Sequence, residues 1–533
     1  MVLQALLENS RVAVDCAQMA VGVLLVPLTY VVIQQLYVAL KGEKGQEKGA
    51  KLYRPPTTLP VLGNTLDFAR RVAKFHHWMT EVCKDAQGTP VLLRTLGQPP
   101  MVIISTPEAV EDVSKTQFDA FPKGQQQREI LGSVLGEGII AVDGAKWVHQ
   151  RKIAARLFTT RALRDSMSAT MRKYTAVLLR ILERAQRSGE SFDLFKLLNR
   201  FTIEAFAEIG FGIQMNCLEA EDEHPFQSAF DSIQRAVSLR FMLPPWLTKL
   251  QQILGVGPEG QFKKDLKVID DTVYEIVSGS IKRRQNNEQT RDTADLVSLF
   301  LDHFDKYSGD GKKEYDAKYL RDMVVTFLIA GRDTTAQALS WFFLSISREP
   351  RVAKKIREEI KVILPELLEG KIETPTMEQV QQLTYLEAAL KETLRLYPSV
   401  PVTPKSAEQD AVLSNGTFIR KGTRIGIPTY AMGRMPYVWG PDAEEFKPQR
   451  WIDPETGKII QVSPFKFFSF NAGPRTCLGM NLALLEMKIV VASVLSRFDL
   501  SVLNEKDITY DFSVTLPMQG ELRVNAVEVP RAH

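Results

Sequence analysis

The stretch that most limits how this chain can fold runs over residues 316–347. It is apolar round most of its circumference near residues 323–330, and a helix without a broad polar side has to be buried by other elements. At 1.5 Å per residue such a helix runs roughly 45 Å, enough to cross a whole globular body. The rest of the chain therefore has to wrap around it. Its middle reads Ala330, Gly331, Arg332, Asp333, Thr334, Thr335. Glycine costs about 1 kcal/mol relative to alanine inside a helix, and threonine is also a poor helix former. A break in local preference within an otherwise strong helix marks a candidate functional kink.

Helical periodicity dominates elsewhere. Residues 161–186, 351–364 and 384–396 carry apolar side chains at three-and-four spacing, and the run 480–495 reads the same way. Short alternating runs over 91–96, 100–105 and 417–428 read as strands of small sheets. The expected class is mainly α with small β-sheets. Hydrophobic residues make up 44% and charged residues 24% of the 533 positions, a globular composition that supports a large core. The net charge of +4 forms no dense basic block with interleaved aromatics, which argues against nucleic acid as a partner.

From Cys16 to Leu40 no residue is formally charged, and 19–33 is almost wholly apolar. That length crosses a bilayer core of about 30 Å as a helix, and Pro27 is tolerated there. A cleaved signal peptide fits less well, since the only early basic residue is Arg11, offset by Glu8 and Asp15, with no convincing cleavage site after it. Lys41, Lys44, Lys48, Lys51 and Arg54 follow the span, so the body is expected on the cytoplasmic side of a single-pass anchor. Pro55, Pro56, Pro60 and Gly63 read as a stiff connector. The expected division is an anchor segment over 1–40, a basic and Pro-rich linker over 41–60, and one large body over 61–533.

Cys16, Cys83, Cys217 and Cys477 stand far apart without paired spacing, against a disulfide framework or a Cys-rich zinc site. The six histidines, His149 included, show no spacing to a second strong ligand. Cys477 differs in its context: Phe470, Asn471, Ala472, Gly473, Pro474, Arg475, Thr476, Cys477, Leu478 and Gly479 lead into the helix at 480. Gly473 and Gly479 permit close backbone approach or positive φ, and Pro474 stiffens the loop. Helix-start amides are expected to lower the pKa of the thiol, and Arg475 can pair with an anion. A lone cysteine is commonly just a buried one, but this ten-residue context speaks for chemistry.

The pattern Phe-x-x-Gly-x-Arg-x-Cys-x-Gly resembles the haem-binding signature of the cytochrome P450 superfamily at every fixed position. Three more signatures follow the family's order. Glu392 and Arg395 resemble its Glu-x-x-Arg helix, with Arg450 as the partner completing a buried ion triad; Gln449 stands where many members have Glu. Trp147 and Arg151 resemble its Trp-x-x-x-Arg helix, whose members contact a haem propionate. Asp333 and Thr334 match its acid and alcohol pair, although a helix threonine can simply bond back to a carbonyl one turn earlier. The resemblance covers most of the chain and implies a haem-thiolate fold holding haem b. Cys477 would be the axial ligand, with Phe470, Gly479, Arg475, Trp147 and Arg151 around the haem. Asp333 and Thr334 would serve proton delivery, the Ala330–Gly331 step would let oxygen sit close to the backbone, and Glu392, Arg395 and Arg450 would be structural.

No Gly-x-Gly-x-x-Gly opens a helix after a strand, so no flavin or nicotinamide domain is expected. The resemblance implies that electrons come from a separate NADPH-dependent diflavin reductase, docking on basic residues such as Lys466 and Lys152, with the protein on the endoplasmic reticulum membrane. It implies O2 and a lipophilic molecule as substrates. Leu135–Gly144, Arg395–Pro401 and Asn471–Gly479 resemble the long-chain fatty-acid and alkane ω-hydroxylases of plants and fungi, which points to terminal or near-terminal hydroxylation of a fatty acid. Sterols, alkanes and terpenoids are the alternatives; a hydroperoxide isomerase is disfavoured by Asp333 and Thr334, and a non-enzymatic haem sensor needs no such pair. By family position Phe327, Ala330, Val400, Val402, Leu516 and Met518 could line a substrate channel, or be plain core.

Overall fold

The computed structural model describes residues 51–220, 222–286, 295–307 and 316–529. The expected anchor over 1–40 and the first part of the basic linker lie outside these residues. Among the described residues no helix is long and apolar enough to cross a membrane.

The main helices in chain order are α1 (Phe75–Ala86), α2 (Gln125–Leu135), α3 (Gly144–Ala154), α4 (Ser168–Ser188), α5 (Leu194–Phe211), α6 (Pro225–Met242), α7 (Pro245–Leu254), α8 (Pro258–Gln285), α9 (Ala317–Arg348), α10 (Pro350–Ile363), α11 (Thr384–Leu396) and α12 (Met480–Arg497). The long helix expected over 316–347 is α9. It starts where the Asp316 carboxylate accepts the amides of Lys318 and Tyr319 at 3.0 and 3.1 Å, a cap of the kind that contributes about 1 kcal/mol. α5, α8, α11 and α12 pack around it.

No kink interrupts α9 at residues 330–335. Gly331 has another reason to be there: a Cβ on it would lie 2.2 Å from Cγ of Phe206. The missing side chain thus admits the ring of an α5 residue. The Thr202 hydroxyl, also on α5, donates to the Arg332 carbonyl at 2.9 Å and fixes the register of the two helices.

The helices expected over 384–396 and 480–495 are α11 and α12. The run 161–186 is less regular than its periodicity, opening with a short turn at Thr160–Ala162 and a wider π-type turn at Leu163–Met167 before α4. α4 stops at Gly189, whose φ of 70° ends a helix at little cost.

One four-stranded sheet joins β1 (Val91–Leu93), β2 (Met101–Ile103), β4 (Thr403–Ser406) and β7 (Arg424–Ile427) in the order β1-β2-β7-β4. β2 and β7 run parallel and the outer pairs antiparallel. β3 (Phe192–Asp193), β8 (Phe498–Val502) and β11 (Arg523–Glu528) form a second sheet. The run 417–428 is two strands, β6 (Phe418–Ile419) and β7, because Gly422 turns the chain between them at φ 83°. The Pro-rich connector lies on the body: Tyr53 receives Leu92 N at 2.9 Å and donates to Pro90 O at 3.0 Å.

Candidate active site

Residues 470–479 form a tight loop ahead of α12. The Cys477 amide donates to the Phe470 carbonyl at 2.8 Å. Gly473 has φ 63°, and a Cβ there would sit 2.2 Å from the Ser114 carbonyl oxygen, so both reasons for a glycine apply at once. Gly479 differs from expectation. Its φ is −87°, and a Cβ would meet only Phe158 at 3.8 Å and the Cys477 sulfur at 4.0 Å. The space it leaves is beside the sulfur, in a cleft onto which Cys477 is exposed. Although Cys477 is exposed, the protein packed around it desolvates the thiol and raises it above its ordinary value, outweighing the amides of Gly479 and Met480 and the Arg151 guanidinium, which act the other way. The lowering expected from the helix start is therefore overridden, and a thiolate at this position needs a cation at its sulfur.

Cations crowd this cleft. Arg475 pairs with Asp143 at 2.6 Å, donates to the Val142 carbonyl at 2.9 Å and stacks 4.1 Å over the Trp147 ring; its Nε is buried without an acceptor. Arg151, one turn after Trp147 on α3, donates to the Thr476 carbonyl at 2.7 Å. Lys123 and Lys405, which no motif pointed to, complete the group. Burial, with Arg475 nearby, lowers Lys123 to about 7 and Lys405 to about 8, and Asp143 opposes this only in part. Arg475, Lys123 and Lys405 face one carboxylate among the described residues, Asp143. Enclosed charge of one sign is costly unless anions meet it, so the cradle suits a group that brings negative charge. The one trace of Lys405 in the sequence is that it ends the uncharged run 396–404; Lys123 leaves none.

α9 forms the facing wall. Phe327 stacks on Phe158 with ring centres 6.4 Å apart, and Phe158 borders Gly479, so this ring connects the wall to the cysteine loop. The Thr334 hydroxyl donates to the Ala330 carbonyl at 2.8 Å, the local bond open to any helix threonine. Asp333 is buried, accepts from Gln234 of α6, and pairs with Arg332 at 2.9 Å. Burial raises its carboxyl to about 6 against the pull of Arg332. Arg332 also meets Asp231 at 2.8 Å, and the Asp231 side chain is 51% exposed, so the acid connects outward through one guanidinium. Gln234 further accepts from Ser513 and Thr515 at 3.0 and 3.1 Å. Ser399 donates to the Thr334 carbonyl at 2.7 Å. Of the six residues suggested as channel lining, Phe327, Leu516 and Met518 are buried core, whereas Ala330, Val400 and Val402 keep exposed surface.

Glu392, Arg395 and Arg450 meet. The Glu392 carboxylate takes two bonds from Arg395 at 2.8 Å, one from Arg450 at 2.8 Å, one from Trp451 at 2.9 Å and one from the Lys447 amide at 2.7 Å. Arg395 spends its other donors on the carbonyls of Gly433, Ala443 and Glu445, stapling α11 to the chain that leads into the cysteine loop. Gln449 contacts only Tyr385, at 3.4 Å, and leaves Arg450 undisturbed. Of the two lysines suggested for docking, Lys152 is exposed, but Lys466 lies 4.6 Å over the Trp439 ring and is half-buried.

The Cytochrome P450 family model matches residues 53–520. Relatives include Cytochrome P450 704C1 of Pinus taeda, 35% identical over 488 residues that cover 89% of this chain and 92% of the relative. Cytochrome P450 86B1 of Arabidopsis thaliana is 34% identical, covering 80% and 77%. Cytochrome P450 monooxygenase cyp1 of Mycosarcoma maydis is 32% identical, covering 98% and 84%.

Proposed function

The chain belongs to the cytochrome P450 family of haem-dependent monooxygenases, and on that premise we propose that it hydroxylates the terminal or near-terminal carbon of a long-chain fatty acid. It is an oxidoreductase that takes O2, a lipophilic substrate and electrons from a redox partner. The observation that carries the assignment of the site is the cleft in which Cys477 lies with Lys123, Arg151, Lys405 and Arg475 around one carboxylate. That donor set fits haem b: the Cys477 sulfur would ligate its iron, and the cations and Trp147 would hold its propionates. Phe470 and Gly479 shape the loop beside the sulfur.

Haem, when bound, supplies the redox chemistry that activates dioxygen. The protein's part is protons, shape and exclusion of water. Asp333, raised to about 6, can both hold and release a proton near neutral pH, the condition for a relay. Its resupply comes from the side of Asp231, which shares the Nη1 of Arg332 with Asp333. The Thr334 hydroxyl, which donates to the Ala330 carbonyl, would present its O–H to the cleft on rotating away from it.

The fatty-acid reading is supported by the stretches at 135–144, 395–401 and 471–479 and by relatives from plants and a fungus. A terminal methyl group is the least reactive position on such a chain, so the substrate must be held lengthwise with its end at α9. An NADPH-dependent diflavin reductase as donor, a catalytic domain over 61–533 and an anchor in the endoplasmic reticulum membrane complete the proposal. The test is to titrate long-chain fatty acids into the purified ferric enzyme and follow the haem absorption. A saturable low-to-high spin shift, with product hydroxylated at the chain end on reduction, is expected. A thiolate-ligated enzyme that shifts only with sterols, alkanes or terpenoids overturns the fatty-acid assignment.

A further inference from the structure

Arg424 is a cation without an acid. The buried guanidiniums of Arg240, Arg321, Arg332, Arg395 and Arg475 each meet a carboxylate, at 2.6, 2.5, 2.9, 2.8 and 2.6 Å. Arg424, on β7, has one side-chain hydrogen bond among the described residues, from Nη1 to Gln98 Oε1 at 2.6 Å. Burial pushes its pKa down to about 10, and no carboxylate opposes that. Its other N–H groups are absent from the buried atoms that lack partners, so they open on accessible space.

The amide that holds it is itself fixed. Gln98 Nε2 donates to the Leu243 carbonyl at 2.5 Å, and Gln98 Oε1 also accepts from Gln126 at 3.0 Å. Arg424 is therefore oriented, without being neutralised, where three elements converge: the β1–β2 hairpin, the start of α2 and the junction of α6 with α7. An arginine presents a fork that matches a carboxylate in two parallel hydrogen bonds. A neutral amide leaves that fork free for an incoming anion.

The position along the sheet fits a long substrate. Ser399 touches the Thr334 turn, and the chain runs on through β4, where Thr403 pairs with Ile427 and Ser406 with Arg424. Seven residues of extended chain cover at most about 25 Å, and the pairing sets the Arg424 backbone beside Ser406, the end of β4 farther from Ser399. Met101, which pairs with Arg424 across the sheet, is partly buried against the same apolar cluster as Met242, Val402 and Phe512. We infer that Arg424, oriented by Gln98, binds the carboxylate of a long-chain fatty acid at the mouth between the β1–β2 hairpin, α2 and the α6–α7 junction, leaving the far end of the chain at α9. This rests on the fatty-acid reading above.

The experiment compares a long-chain fatty acid with its methyl ester by spin-shift titration of the full-length ferric enzyme. The wild type is expected to bind the acid more tightly than the ester. Arg424→Gln should weaken the acid by about 10- to 100-fold, the range for a charged hydrogen-bonded pair, and leave the ester unchanged. Gln98→Glu gives Arg424 an internal carboxylate and should have the same selective effect, while Arg424→Lys should recover part of the acid affinity. An unchanged spectrum of the carbon monoxide complex checks that each variant folds with its thiolate ligand in place. If both ligands bind the wild type and Arg424→Gln weakens both equally or neither, the anchor is wrong while the fatty-acid reading stands. If the wild type binds neither ligand, both fall.

Discussion

Asp333 keeps its carboxyl near neutrality because burial costs the charged form more than Arg332 and Gln234 return. Its folded pKa of about 6 lies above the ordinary value of 3.8, so over that window the native state holds a proton that the unfolded chain has released. Stability from this group therefore declines as pH rises from about 4 to 6 and is level above that. Asp333→Asn lacks the slope. In denaturant unfolding of wild type and Asp333→Asn at pH 4.5 and 7, the difference should move in the variant's favour by about 2 kcal/mol; no movement with pH would mean that Asp333 is charged throughout. Which residue carries the acid is readable from Ala330 to Thr335 alone. Its surroundings are not, because Asp231 and Gln234 come from α6, a hundred residues away in the sequence, and no local pattern aims them at α9.

At the scale of elements, the contact between α5 and α9 turns on one glycine and one ring. Gly331→Ala drives a methyl into Phe206 and should destabilise by about 1–3 kcal/mol through overpacking. In a Phe206→Ala background the same change meets open space, and alanine's better helix propensity should make it stabilising by up to about 1 kcal/mol. Denaturant midpoints of the four proteins check that reversal of sign; equal effects in both backgrounds would show that Phe206 is not what the glycine accommodates. The sequence carried the length and burial of α9 through its periodicity, yet read residues 330–335 as a kink, because propensity registers only the cost of glycine and not the neighbour that rewards it. Likewise 417–428 alternates as one strand would, and only the turn at Gly422 divides it. Glu392, Arg395 and Arg450 fared better. The i, i+3 spacing of Glu392 and Arg395 sets one face, and the Arg450, Trp451, Lys447 and carbonyl contacts then fill a shell that spacing cannot show.

Across the whole molecule the cation cradle is assembled from parts that share no segment: Lys123 ahead of α2, Arg151 on α3, Lys405 on β4 and Arg475 in the cysteine loop. The two arginine positions, 151 and 475, are legible from motifs, whereas the lysines acquire meaning only once the sheet lies against the loop. Among the described residues Asp143 is the carboxylate that relieves the repulsion of these gathered charges, and on the proposed reading the haem propionates would balance the rest. This makes the sign of a substitution depend on loading. Lys405→Met should stabilise the haem-free protein by on the order of 1–3 kcal/mol, since a lysine lowered to about 8 is penalised fully below that pH and progressively less as pH rises toward its ordinary value. The same substitution in the loaded enzyme removes a charge-assisted bond to a propionate and should speed haem loss to an acceptor protein by about tenfold. Thermal unfolding of the haem-free form and haem-transfer rates of the loaded form measure the two arms separately. Movement of both in the same direction would show that Lys405 serves the sheet and not the cofactor.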